Sequence, residues 1–250
     1  MFALILAAQV AGPPPLPTAD RGEECMRAAV QTPRRGETLA TQWVVDGGGF
    51  AARECLGLAL ANQQRWRDAA SAFSAAADAA GEENPARAAN LWALAGNAWL
   101  AEGNVARATA ALDRAIAIDA LKGPTLGQTY LDRARARVAS GSDAGAREDL
   151  DQAVRLAADD PFAWLLSATL ARRTGDLPRA HRDIARAAEL APNDPAVQLE
   201  RGNIAALSGD AHGARLAWEQ VITLAPGTAR AAAARQALQQ FDTPPESQDE

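Results

Sequence analysis

An all-α solenoid, built by stacking antiparallel helical hairpins, is the fold class this sequence predicts. Three observations lead there. Gly141-Ser142, Gly175-Asp176 and Gly209-Asp210 follow one another at 34-residue intervals, and Gly103-Asn104 precedes them, displaced only by a short insert. Each pair separates an apolar helical run from an Ala-centred one, and a period of this length marks stacked helical hairpins. Hydrophobic residues make up 48% of the 250-residue chain but aromatics only 5%. Ala supplies much of the difference, and its small side chain favours helix and close helix approach. Finally, the Ala191-Pro192 and Ala225-Pro226 stops close units of the same length.

The N-terminus comes first. Phe2 to Val10 is an almost unbroken apolar run, followed by Gly12 and Pro13-Pro14-Pro15-Leu16-Pro17. It is too short for a bilayer span of about 20 residues. It has the length of a secretory apolar region, about 7–15 residues, although no Lys or Arg precedes it. Residues 1–12 are therefore read as a signal peptide and 13–19 as a Pro-rich linker. This points to a periplasmic protein, with a cytoplasmic one as the alternative.

Residues 20–49 read as a degenerate helical hairpin that caps the array. Two short helices, 23–30 and 37–45, carry Cys25, Met26, Ala29, Leu39 and Trp43 as apolar contacts, and Gly47-Gly48-Gly49 ends the segment. Cys25 and Cys55 are the only cysteines. In an exported chain an even count suggests one disulfide. In a reduced chain the same residues are two small buried thiols. There is no CxxC spacing, and His181 and His212 lie far off in sequence, so no metal site is expected.

The last two units are the clearest. Pro161 to Asp194 reads PFAWLLSATLARRTGDLPRAHRDIARAAELAPND, and Pro195 to Thr228 reads PAVQLERGNIAALSGDAHGARLAWEQVITLAPGT. Each is a helix, a Gly-Asp turn, a second helix and an Ala-Pro stop. The Gly suits a left-handed helix cap. Asp176 and Asp210 can accept from the free N–H groups of the next helix, and Pro178 falls where a missing N–H costs nothing.

This pattern resembles the tetratricopeptide repeat, with its W-x2-L-G-x2-Y, A-x3-F and P signature. The match extends back through 127–160 (Tyr130, Ala134, Ala146, Leu150, Ala153), 89–122 (Trp92, Gly96, Trp99, Ala108, Leu112, Ala115) and 50–83 (Leu56, Gly57, Leu60, Ala69, Phe73, Ala76). Inserts 84–88 and 123–126 interrupt the period. The resemblance thus covers residues 50–228 as five units and implies a right-handed superhelix. Gly57, Gly96, Ala134, Ala168 and Gly202 fall at one place on the first helices. Phe73, Leu112, Leu150, Ile184 and Trp218 fall at one place on the second, so small residues face large ones. Residues 229–241 read as a capping helix and 242–250, DTPPESQDE, as a disordered tail.

No chemical site is legible. The chain lacks a phosphate loop and a GxSxG elbow. Its net charge of −6 argues against nucleic acid, which usually meets a basic face. His181 and His212 read as solvated, and Asp149, Asp151, Asp159 and Asp160 as polar faces or turns. The chain is read as a non-enzyme without cofactor.

The resemblance implies a different kind of site. In that family the first helices line a concave groove that binds extended peptides or partner helices. Position by position, this places Asn97, Arg135, Thr169 and Asn203 in one row. Gln128, Leu131, Phe162, Leu165 and Leu199 flank it, with Asp132 and Glu200 nearby and Arg172 one turn along. Family members that clamp a terminal carboxylate carry Lys beside this row. Here Glu54, Ala93, Leu131, Leu165 and Leu199 stand there, so such a clamp is not expected. Arg133, Arg137 and Arg201 stand where the repeat normally buries apolar or small residues. The reading is a scaffold binding a protein or peptide in the bacterial envelope. The alternatives are a cytosolic adaptor or an accessory subunit of an envelope enzyme.

Overall fold

The computed structural model describes residues 18–242. The signal-peptide reading of 1–12, most of the linker and the tail from 243 lie outside them. The described residues form thirteen helices and no strand. α1 (Thr18–Gln31) and α2 (Pro33–Val45) make the N-terminal hairpin. Five hairpins follow: α3 (Gly49–Asn62) with α4 (Trp66–Ala80), α5 (Pro85–Ala101) with α6 (Val105–Ala117), α7 (Gly123–Ala139) with α8 (Asp143–Leu156), α9 (Pro161–Arg173) with α10 (Leu177–Leu190), and α11 (Pro195–Leu207) with α12 (Ala211–Leu224). α13 (Ala229–Asp242) packs on α12 and touches α11.

Turn chemistry shapes each hairpin. Gly103, Gly141, Gly175 and Gly209 adopt φ of 80°, 79°, 82° and 80°, the left-handed conformation that lets a helix stop abruptly. Asn104, Asp176 and Asp210 then cap the next helix through Arg107 N, Arg179 N and Gly213 N. In the first unit Gln64 takes the same place, at φ 59° without a glycine.

The inserts are not loops. Asn84 caps α5, residues 85–88 form its first turn, and 123–126 form the first turn of α7. α5 and α7 are consequently 17 residues long, against 13 for α9 and α11. Thr18 and Ala19, read as linker, belong to α1, which like α2 starts earlier than its apolar contacts suggest.

Packing follows the small-against-large pattern. A methyl group placed on Gly57 would meet the Phe73 ring at 2.6 Å, on Gly96 Leu112 Cγ at 2.5 Å, and on Gly202 the Trp218 indole at 2.5 Å. First helices of neighbouring units also touch, α5 with α7 and α9 with α11. The array is therefore tighter on the side the first helices face, which becomes the inner face.

One polar seam departs from this scheme. Arg133 on α7 makes a two-pronged contact with Asp149 on α8, at 2.9 and 2.6 Å, and reaches Asp113 on α6 at 2.7 Å. Arg137 adds a 3.1 Å ion pair to Asp149. Asp149 is thus not on a polar face: its residue is 2% exposed. Its position is that of a core residue, and two guanidiniums compensate the burial. One unit on, Ser167 and Asp183 occupy the equivalent places and hydrogen-bond to each other, with Arg147 donating to Ser167 Oγ at 2.7 Å. In the unit before, the same places hold Ala95 and Ala111, both buried. Arg201, by contrast, is exposed, as are Asp151 and Asp159.

At the N-terminus Cys25 and Cys55 are joined as a disulfide, with Cα atoms 6.1 Å apart, tying α1 to α3. Both lie in a cluster with Ala29, Ala40, Trp43, Ala52 and Ala59. No described helix is long and apolar enough to cross a membrane.

Candidate functional groove

The row on the first helices comes together, but largely through two buried carboxylates. Asp132 on α7 is 2% exposed. It accepts a hydrogen bond from Arg135 Nη1 at 3.1 Å, and the side chains of Asn97 on α5 and Gln128 stand beside the same carboxylate. Three residues of the row and its flank therefore gather around one carboxylate. Burial pushes the Asp132 carboxyl above its ordinary range, against the opposing pull of the Asn97, Arg135 and Gln128 side chains. Asn97 Oδ1 is buried with no hydrogen-bond partner.

Glu200 on α11 organises the other end. Arg172 reaches it with Nε at 2.6 Å and Nη2 at 3.2 Å, linking α9 to α11. Asn203 Nδ2 donates to the same carboxylate at 3.4 Å, and Trp218 Nε1 donates to Asn203 Oδ1 at 3.1 Å. Arg172 and Asn203 are thus held by the scaffold. Near the N-terminus, Glu54 is likewise buried and paired with Arg87 of the next unit.

The flanking residues divide. Leu131 is fully buried and belongs to the core with Ala134, Leu150 and Leu170. It therefore offers a ligand no surface. Leu165 is also buried. Gln128 and Phe162 remain open, Phe162 to 42%. The reason is packing: Leu131 belongs to a cluster with Leu150, Ala153 and Ala163, and Leu165 to one with Ala168, Ile184 and Val197.

Two cavities open beside these clusters. The first, of about 160 Å³, lies between α7 and α9 and has Arg135 and Thr169 from the row on its wall. Ala134, Val138, Leu150, Leu166, Leu170 and Arg173 complete it. The second, of about 460 Å³, is bordered by Arg172 and Asn203 together with Trp218 and the end of α13, Gln240 and Phe241. Phe241 packs edge-on against Trp218 at 5.6 Å. Sequence reasoning missed Val138, Leu166 and Arg173. A signal was available, since each lies three or four residues from Arg135 or Thr169 on the same helix.

Elsewhere the chemistry is sparse. His181 is exposed, with Nε2 2.6 Å from Ser208 Oγ. Among the described residues no group of His, Cys, Asp and Glu has the arrangement to hold a metal ion.

Helical hairpins stacked at this period, with small residues facing large ones and an inner face lined by first helices, give the chain the fold of a tetratricopeptide-repeat solenoid. Solved structures show the same fold. PilF of Pseudomonas aeruginosa is 15% identical, with 89% of this chain and 98% of that one covered at a TM-score of 0.71. PilW, described as a widely conserved type IV pilus biogenesis factor, is 16% identical over 88% and 98% at 0.72. YrrB, a repeat protein with an unusual peptide-binding site, is 16% identical over 78% and 96% at 0.58. No protein-family model and no curated protein matches the sequence.

Proposed function

We propose that the chain is a non-enzymatic scaffold that binds a protein or peptide segment along its inner face, in the bacterial envelope. The observation that carries this reading is the groove itself. Buried Asp132 and Glu200 anchor Arg135, Arg172 and Asn203 by hydrogen bonds, while Gln128, Phe162 and a small apolar pit stay open beside them. A surface ordered in advance loses less entropy when an extended segment docks on it. YrrB's peptide-binding site and PilW's part in pilus biogenesis support the class of function by analogy. The Cys25–Cys55 pair and the apolar run Phe2–Val10 support the compartment.

Site-specific photocrosslinking in intact source cells tests the groove. A photoreactive residue at Gln128 or Phe162 should give a discrete adduct. The same residue at Arg182 or His212, exposed on second helices, should not. Adducts only from the second-helix positions would reject the inner face. Thiol alkylation of protein taken from cells, with and without reductant, tests the compartment. Cysteines reactive without reductant under denaturing conditions would place the chain in a reducing one.

A further inference from the structure

We propose that the pit between α7 and α9 takes one large apolar side chain, of Phe or Leu size, from an acidic extended segment of another protein. This rests on the groove reading above and narrows it to a ligand class.

Size comes first. The pit measures about 160 Å³, and an apolar cavity of about 150 Å³ holds a benzene ring. The floor is hydrocarbon, from Ala134, Val138, Leu150, Leu166 and Leu170. Thr169 adds no free donor, because its hydroxyl already donates to Leu165 O at 2.9 Å.

The rim carries two arginines, each with a carboxylate on one side and free donors on the other. Arg135 and Arg173 stand on α7 and α9, and each side chain is 46% exposed. Arg135 uses only Nη1 on Asp132, and the carboxylate nearest Arg173, that of Asp143, is 4.0 Å away. Two guanidiniums with spare donors at the mouth of an apolar pit complement a large apolar side chain flanked by carboxylates. The chain's own segment 242–250, DTPPESQDE, matches the rim in charge but has no large apolar side chain to fill the pit. That favours an occupant from another protein.

The probe is a fluorescein-labelled, C-amidated nonapeptide of Asp, Ser and Gly with one central Phe, followed by fluorescence anisotropy on the full chain. The amide removes the terminal carboxylate. Replacing the Phe with Ala should weaken binding about tenfold or more, and replacing the Asp residues with Lys should abolish it. Val138→Phe, which fills the pit, should weaken binding to the same degree with helicity unchanged. Arg173→Gln should weaken it severalfold and flatten its salt dependence. Should Val138→Phe fail to fold, Val138→Ala, which widens the pit, should shift preference from Phe toward Trp.

Equal binding of the Phe and Ala peptides, with no effect of the pit variants, would overturn the pit while leaving a groove that binds peptides. Absence of binding by every acidic peptide, with groove crosslinks still forming in cells, would likewise overturn only the ligand class. Absence of both would overturn the groove reading as well. A dimer in sedimentation that Val138→Phe dissociates would assign the pit to a second copy and overturn the proposal.

Discussion

Gln64 and Gly202 show how single residues decide local energetics. Gln64 holds φ at 59° where the other units have glycine, and a left-handed L-residue costs about 1–2 kcal/mol. Gln64→Gly should stabilise the chain by up to about 1 kcal/mol after the added entropy of the unfolded glycine, measurable by urea unfolding. Gly202→Ala should do the reverse. Its methyl would meet Trp218, whose indole is held by Asn203 and Phe241, so overpacking should cost about 1–3 kcal/mol. Asp132 adds a pH dependence. Its carboxyl binds a proton more tightly in the folded chain than at the unfolded value of 3.8. Its contribution is therefore lost as pH rises from about that value through the raised one. Relative to Asp132→Asn, the wild type should gain stability as pH falls from about 7 to 4. A stability difference that stays constant over that range would exclude this role. The small-against-large packing was legible in the sequence, since both partners recur at fixed offsets. The gathering of Asn97, Gln128 and Arg135 around Asp132 was not, because which side chains meet a buried carboxylate depends on how adjacent helices are set.

Helices and hairpins bring a second kind of effect. The inserts 84–88 and 123–126 break the period in sequence yet lengthen α5 and α7 by a turn. Pro85 and Pro124 sit in the first turns of these helices, where proline favours helix initiation. The polar seam makes a sharper point. Asp149→Ala would leave Arg133 and Arg137 without their buried partner, and Arg133→Ala would strip Asp149 of its two-pronged contact. Breaking such a pair should cost about 3–5 kcal/mol. The double variant Arg133→Ala/Asp149→Ala reproduces the Ala95/Ala111 pair of the preceding unit and should cost clearly less than the sum. Chemical denaturation of the four proteins gives the coupling directly. Strict additivity would show that the seam is not a coupled unit.

The whole molecule is a line of hairpins, each in contact mainly with its neighbours, so its ends fray before its middle. The disulfide counters this at one end. Cys25 and Cys55 close a loop across 30 residues of sequence, which in the chain-entropy account is worth about 3–4 kcal/mol. Removing it with Cys25→Ala and Cys55→Ala should speed amide exchange in α1, α2 and α3 and leave α9 to α12 protected. Uniform loss of protection along the chain would show that the array unfolds as one unit. Sequence alone determined the repeat, its turns and its small-against-large packing, because those depend on residues close along the chain or at fixed offsets. The tertiary structure decided the rest. It drew Leu131 out of the groove, put Asp149 into the core, and placed Arg135 and Arg173 across a common pit. Burial, and with it the freedom of a side chain to meet a ligand, is set by the neighbouring helix, whose distance and rotation follow from the packing of every residue between them.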